Sequence, residues 1–344
     1  MALDLLAFIG VAVAGAIATL SAVYDHANQR RGEPRGLSDE DTERIEAALK
    51  TAYRAKNTRR AYLAGWKRWQ AWACDHGVRA LSADPASVAA YLAERAASGK
   101  TRATVRSDRA AIGAAHRAVE AGDPTADEGV RRVIRLMGTA NHGKGRGQVQ
   151  GLDWGGVDRT AVLAEKRGSL AGLRDAALIR LGSDALLRVS ELASLLVSDL
   201  RVQPDGSGTI TIRHSKTDQA GRGHVCYLGK PTVAAIRRYL QAAGVKSGAL
   251  FRGVNKGGAV RERLGVRSIR QIIKRRAADA GIVGGISGHS LRVGAVQSLV
   301  TAGASLVDLQ RAGDWTSPQM PAHYARNQLA ARGAVARLRY GVAA

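Results

Sequence analysis

Six residue types with chemistry to offer recur in the second half of this 344-residue chain, each in a context where packing alone is a weak explanation. Arg188 lies in the apolar stretch "LLRVSEL", with Glu191 three residues on. An arginine there must be paired or functional, and Glu191 is the available partner. Lys216 falls between two β-like runs in "GTITIRHSKTDQAGRGHVCYLG". His289 and Arg292 open the segment "GHSLRVGAVQSLV" at a spacing that puts both side chains on one helix face. Trp315 and Tyr324 follow in "GDWTSPQMPAHYARN". Singly, each has a structural reading: an ion pair, a surface lysine, a core aromatic. As a set they suit phosphodiester transfer without a metal. The pentacoordinate transition state gathers negative charge on its non-bridging oxygens, and two arginine forks answer it. A tyrosine oxygen can attack and later leave. A lysine on a mobile loop can protonate the departing 5′ oxygen. A histidine can take the phenolic proton or hold a phosphate oxygen.

These residues must be carried by two kinds of structure. Residues 39–140 read as a small helical bundle. Ser38 is an N-cap followed by first-turn acids, and Asp84-Pro85 starts a further helix. Tyr62, Trp66, Trp69 and Ala73 recur at helical spacing as an inward stripe, leaving Lys56, Arg60 and Lys67 on the opposite side. In "TRATVRSDRAAIGAAHRAVEAG", Val105, Ile112 and Val119 face inward, and Arg102, Arg106 and Arg109 line another side. The Gly-rich, polar stretch at 142–156 reads as a linker. Beyond it the pattern is mixed, with a hairpin about Lys216 between helices. "RSIRQIIKRRAADAG" presents Arg270, Lys274 and Arg275, either as a groove-reading helix or as a solvated basic face.

Charge supports a polyanionic partner. Fifty-two Lys and Arg against 29 acids leave +23. Cys74 and Cys226 are too few and too far apart for a disulfide framework or a zinc site. No Walker motif appears. Residues 5–23 are apolar and long enough to span a bilayer, with Arg30, Arg31 and Arg35 behind them. No positive charge precedes the run and Asp4 does, which speaks against a secretory signal, and its Ala/Gly content makes it only mildly hydrophobic. We expect a soluble, cytoplasmic, nucleoid-associated protein, with a membrane anchor through 5–23 as the alternative.

The order Arg188, Lys216, "HSLR" at 289–292, Trp315, Tyr324 resembles the tyrosine site-specific recombinases, also called the phage integrase family, and its Cre-like branch in particular. "GHSLRVGA", "AGDWTS", "YARN" and "GAVARLRYG" carry the likeness most closely. Many members have histidine where this chain has Trp315, and tryptophan marks the Cre-like branch. The resemblance implies a mostly α fold with a small β-sheet (α+β), a two-domain C-shaped clamp on DNA. Its parts would be an N-terminal extension at 1–37, a helical core-binding domain at 38–141, the linker at 142–156 and a mixed catalytic domain at 157–344. It implies that Arg188 and Arg292 bind the scissile phosphate, with Glu191 orienting the site from behind. Lys216 would be the general acid, His289 the base, Trp315 a phosphate donor through its indole N–H, and Tyr324 the nucleophile. Cleavage would leave a 3′-phosphotyrosine, with no cofactor, metal or ATP. Partners would be double-stranded target sites, as inverted repeats around a spacer, and three further copies in a homotetramer formed on DNA, the free protein being weakly associated or monomeric. The short tail after Tyr324, with apolar Leu329, Val335 and Leu338, would dock on a neighbouring copy. The alternatives are a type IB topoisomerase-like relaxing enzyme and a DNA-binding relative without catalysis.

Overall fold

The computed structural model describes residues 37–53, 55–139, 147–213 and 223–341. The chain divides into two compact units at Gly147/Gln148. No helix among the described residues is long and apolar enough to cross a membrane, and the run at 5–23 lies outside them.

The first unit is helical: α1 (Asp39–Ala52), α2 (Lys56–Asp75), α3 (Pro85–Ala97), α4 (Arg102–Ala118) and α5 (Glu128–Thr139), with a 3-10 turn at Pro124–Ala126. Ser38 caps α1, its hydroxyl accepting from the Asp41 amide at 3.1 Å. Trp66, Trp69 and Ala73 are buried along α2, with Tyr62 partly so. Gly65 lets α2 approach α4, since a Cβ there would sit 2.5 Å from that of Ala111. His116 is a satisfied core histidine. Its Nδ1 meets the Ile112 carbonyl at 2.9 Å and its Nε2 accepts from the Ala83 amide at 3.3 Å. Burial lowers its pKa, so it sits neutral. The sequence reading stopped short of α5, whose Val130, Ile134 and Met137 close the core.

The second unit interleaves helices with two small antiparallel sheets. Its elements are α6 (Trp154–Glu165), α7 (Leu170–Asp184), α8 (Val189–Ser194), β1 (Leu200–Val202), β2 (Gly208–Ile212), β3 (His224–Leu228), α9 (Lys230–Ala243), β4 (Arg252–Val254), β5 (Val260–Arg263), α10 (Val266–Asp279), α11 (Ser290–Thr301), α12 (Leu306–Gly313), α13 (Gln319–Tyr324), α14 (Arg326–Ala331) and α15 (Ala334–Tyr340). The expected hairpin is β2–β3, with Ile210 opposite Cys226, and β1 adds to its edge. Helices α7 and α11 are buried on nearly every side, including charged residues: Arg174 and Asp175 of α7 pair at 2.6 Å, and α11 carries Arg292. A small apolar cluster of Leu186, Ala295, Val296, Val300, Leu309 and Ala325 underlies Trp315 and Tyr324.

One boundary needs correcting. The expected linker ran to residue 156, yet its second half belongs to the second unit. Leu152 is buried in that unit's core and donates its amide to the Ser290 carbonyl at 2.8 Å. Asp153 caps α6 through the Gly156 amide at 2.8 Å. The Gly-rich composition reflects close backbone packing here, not freedom.

Candidate active site

Arg292 is the centre of the site. It sits in the first turn of α11 and is 2 % exposed. A buried guanidinium needs acceptors, and two backbone carbonyls supply them: Nη1 donates to Leu186 O at 2.5 Å and Nη2 to Gly313 O at 2.6 Å. Gly313 O stands at the C-terminus of α12, where the last C=O groups lack helical partners and the dipole favours a cation, and Leu186 O lies in the turn just past the C-cap of α7. Leu186 follows α7 in a Schellman turn, its amide on Ser183 O at 3.1 Å and the Leu187 amide on Gly182 O at 3.0 Å. That turn asks for a left-handed residue, and Leu186 takes it at φ 50°. Gly313 ends α12 and is followed by left-handed Asp314 at φ 51°. A Cβ at Gly313 would overlap the Trp315 ring, so only glycine admits the indole. The Arg292 guanidinium carbon lies 3.9 Å from that ring's centroid.

Arg188 comes into the site from the turn before α8. The Glu191 carboxylate accepts from its guanidinium at 2.7 Å and from its own backbone amide at 2.8 Å. One buried acid therefore caps α8 and aims the arginine. Burial, and then the neighbouring Arg188 charge, bring Arg292 down to about 10. It stays charged at neutral pH.

His289 and Tyr324 meet at the same place. The imidazole Nε2 lies 2.7 Å from the Tyr324 hydroxyl. His289 is the N-cap of α11, but its backbone is helical, at φ −95° and ψ −9°, and its carbonyl accepts the first bond of the helix from the Val293 amide at 3.0 Å, so it stands one turn before Arg292 as the spacing requires. Burial, then the charges of Arg292 and Arg188, lower the His289 pKa. Burial raises that of Tyr324. The resting pair is thus a neutral imidazole beside a neutral phenol, and the imidazole can accept the phenolic proton through Nε2. Among the described residues the Trp315 indole N–H has no protein acceptor, while its ring covers Arg292. Lys216 lies outside the described residues, between the strands that frame it.

The candidate DNA-facing residues divide. Lys56, Arg60 and Arg106 in the first unit, and Arg270 and Lys274 on α10, are exposed. Lys67 is exposed but ion-paired with Glu46 at 2.8 Å. Arg102 is exposed as well, with its Nε on α5, and Arg109 is half-buried. The Arg102 Nε donates to Ile134 O at 3.1 Å, and Arg109 grips Thr125 O at 2.7 Å, because α5 and its preceding turn cover that side of α4. Arg275 leans back to Asp175 of α7 at 3.4 Å. The sequence reading also missed His224, whose Nδ1 is 3.9 Å from Asp314 Oδ2 beside the site, and Gln148 and Gln297, which both reach the Tyr324 carbonyl.

A buried arginine and a half-buried one beside a histidine-bound tyrosine define a site for phosphodiester chemistry through a tyrosine. The model described as "Phage integrase family" matches residues 160–330, and "Phage integrase, N-terminal SAM-like domain" matches 46–120. The chain belongs to the phage integrase family, the tyrosine site-specific recombinases. It is 29% identical over 287 residues to the "Integrase/recombinase xerD homolog" of Selenomonas ruminantium, across 79% of this chain and 82% of that one. It is 26% identical over 303 residues to "Recombinase cre" of Escherichia phage P1, across 83% and 88%. In fold it is similar to XerH bound to a palindromic difH substrate, at TM-score 0.62 and 15% identity, covering 87% of this chain and 85% of that one. It is also similar to a lambda integrase tetramer bound to a Holliday junction, at TM-score 0.58 and 17% identity, covering 88% and 81%. The chain is a site-specific recombinase, a DNA strand transferase of a family that needs neither metal nor ATP. Neither the topoisomerase nor the inactive DNA-binding alternative is favoured.

Proposed function

We propose that Tyr324 is the nucleophile of this recombinase and that the residues around it divide the work of strand transfer. The observation that carries this is the 2.7 Å contact between the Tyr324 hydroxyl and His289 Nε2, beside Arg292. His289 takes the phenolic proton as Tyr324 attacks phosphorus. Arg292 and Arg188 bind the non-bridging oxygens, with Glu191 fixing Arg188, and the Trp315 N–H adds a donor. Lys216 protonates the departing 5′ oxygen. The 3′-phosphotyrosine conserves the bond energy until a 5′ hydroxyl from the partner duplex attacks and releases the tyrosine.

The first unit and α10 are the DNA-contacting surfaces, with Lys56, Arg60, Arg106, Arg270 and Lys274 free for phosphates or base edges. Two duplex sites and four copies assemble, the setting in which a lambda integrase tetramer was captured on a Holliday junction. The tail supports that assembly: Leu329 packs on its own unit, whereas Val335 and Leu338 are 68% and 84% exposed and suit a neighbour's groove. The location is the cytoplasm, at the nucleoid. The test is Tyr324→Phe on a nicked suicide substrate. It should bind DNA as wild type does and form no covalent adduct on a denaturing gel. An adduct would remove Tyr324 from the role.

A further inference from the structure

Tyr324 is the last residue of α13, so its carbonyl has no following turn of that helix to accept from. Two side-chain amides fill the place. Gln148 Nε2 donates to Tyr324 O at 2.9 Å, and Gln297 Nε2 donates to the same oxygen at 3.1 Å. The two come from different elements. Gln297 is on α11, one and a half turns past Arg292. Gln148 is the first residue of the catalytic unit.

The segment that begins at Gln148 is bound tightly across α11. The Leu152 amide donates to Ser290 O at 2.8 Å, next to His289, and the Trp154 amide donates to Ser298 Oγ at 3.1 Å. Between these bonds the two backbones touch. A Cβ on Gly151 would lie 2.9 Å from the Gly294 Cα, and one on Gly294 would overlap the Leu152 carbonyl. Glycines at both positions permit the crossing. Gln148 is therefore held by a backbone that is itself fixed to the helix carrying Arg292. Its amide orientation is determined too. With Nε2 on the carbonyl, Oε1 is buried without a partner. Rotating the amide would set two oxygens face to face, which is worse.

We propose that Gln148, together with Gln297, is a positioning residue for the nucleophile. It fixes the Tyr324 backbone so that the hydroxyl stays on His289 and before the phosphate site. The proposal rests on Tyr324 being the nucleophile. The geometric leverage is large, because misplacing a reacting group by about 1 Å costs on the order of 100-fold in rate.

The test is Gln148→Glu, which keeps the size and replaces the donor by an acceptor facing the Tyr324 carbonyl. Gln297→Glu and Gln148→Asn accompany it. Covalent adduct formation on a suicide substrate should slow about 10- to 100-fold in both Glu variants. The Kd for a single site should stay within about twofold, since no phosphate contact is lost. A second readout separates positioning from general damage. In a Tyr324→Phe background, hydrogen peroxide can serve as a small exogenous nucleophile at the same phosphate. Adding Gln148→Glu there should leave the peroxide-driven cleavage unchanged, because peroxide does not depend on the Tyr324 carbonyl. Adduct formation at the wild-type rate in Gln148→Glu would overturn the proposal. So would a parallel fall in peroxide cleavage, which would mean a damaged phosphate site. Failure of the nucleophile assignment looks different: it is an adduct with Tyr324→Phe itself.

Discussion

Both units bury an acid among arginines, Asp108 in the first and Asp175, with Arg174 and Arg276, in the second, but the second also buries an arginine that is held in the opposite way. In the first, Asp108 is fully buried and accepts from Arg68 at 2.5 Å and Arg95 at 3.0 Å. Both of those arginines reach solvent, and their charge is answered by the acid. In the second, Arg292 is the buried partner, and among the described residues no carboxylate lies within ion-pair distance of it. It is held by two neutral carbonyls and an indole face. Carbonyls orient a guanidinium without cancelling its charge. An arginine held in this way is costly to the resting protein, as its lowered pKa shows, and the cost is recovered when an anion arrives. A buried arginine paired with acid reads as structure; one parked on carbonyls reads as a site.

The comparison breaks first at Arg292. Arg292→Ala should depress covalent adduct formation by about 10²- to 10³-fold or more, the loss of one well-aimed oxyanion donor being worth about 3–4 kcal/mol. Binding of a single site should fall far less, because many other phosphates are contacted. The check is single-turnover cleavage beside a gel-shift titration. An unimpaired rate would mean that the carbonyl-held arginine is a packing device like the rest.

Asp108→Asn is the counterpart in the first unit, and its effect should fall on stability alone. Leaving buried arginine ends unanswered costs about 3 kcal/mol, the low end of the usual range because Arg68 and Arg95 can turn to water. Calorimetry should show the first unit melting earlier. At a temperature where it is folded and with DNA saturating, the cleavage rate should match wild type. A slowed rate under those conditions would blur the contrast between the two kinds of buried charge.

The residues that carry net charge or a reactive atom were legible in the sequence, because charge in an apolar context needs a reason. Arg188, His289, Arg292, Trp315 and Tyr324 come together in the structure. What holds them was not legible. Leu186 and Gly313 contribute carbonyls, which every residue owns, and only the fold says which are left over at a helix end. Gln148 sat in a Gly-rich stretch whose composition reads as a linker, although its glycines serve a backbone crossing. Periodicity gave the outward side of α4 and α10 but not what covers it. Arg109 and Arg275 are drawn to Thr125 and Asp175 by neighbours that are remote in sequence.

The smallest effect sharpens the comparison at the turn that supplies one of the two carbonyls. Leu186 occupies the left-handed position of the Schellman turn after α7, where glycine is the usual residue. A residue with a Cβ is strained there by about 1 kcal/mol. The side chain is nonetheless buried in the small cluster beneath Trp315 and Tyr324, so the strain and the burial oppose each other. Removing the side chain by either Leu186→Ala or Leu186→Gly should destabilise the catalytic unit, since a cavity of that size costs about 2–5 kcal/mol. The two variants should differ in an unusual direction. At most sites glycine is less stable than alanine, because the unfolded chain has more freedom to lose. At φ 50° the alanine keeps the Cβ strain and the glycine does not, so Leu186→Gly should be the more stable of the pair by about 1 kcal/mol. Calorimetry of the catalytic unit's transition reads the difference. Alanine above glycine would show that the turn relaxes away from the left-handed conformation once Leu186 is gone. The Leu186 carbonyl would then owe its aim at Arg292 to the buried side chain and not to the turn.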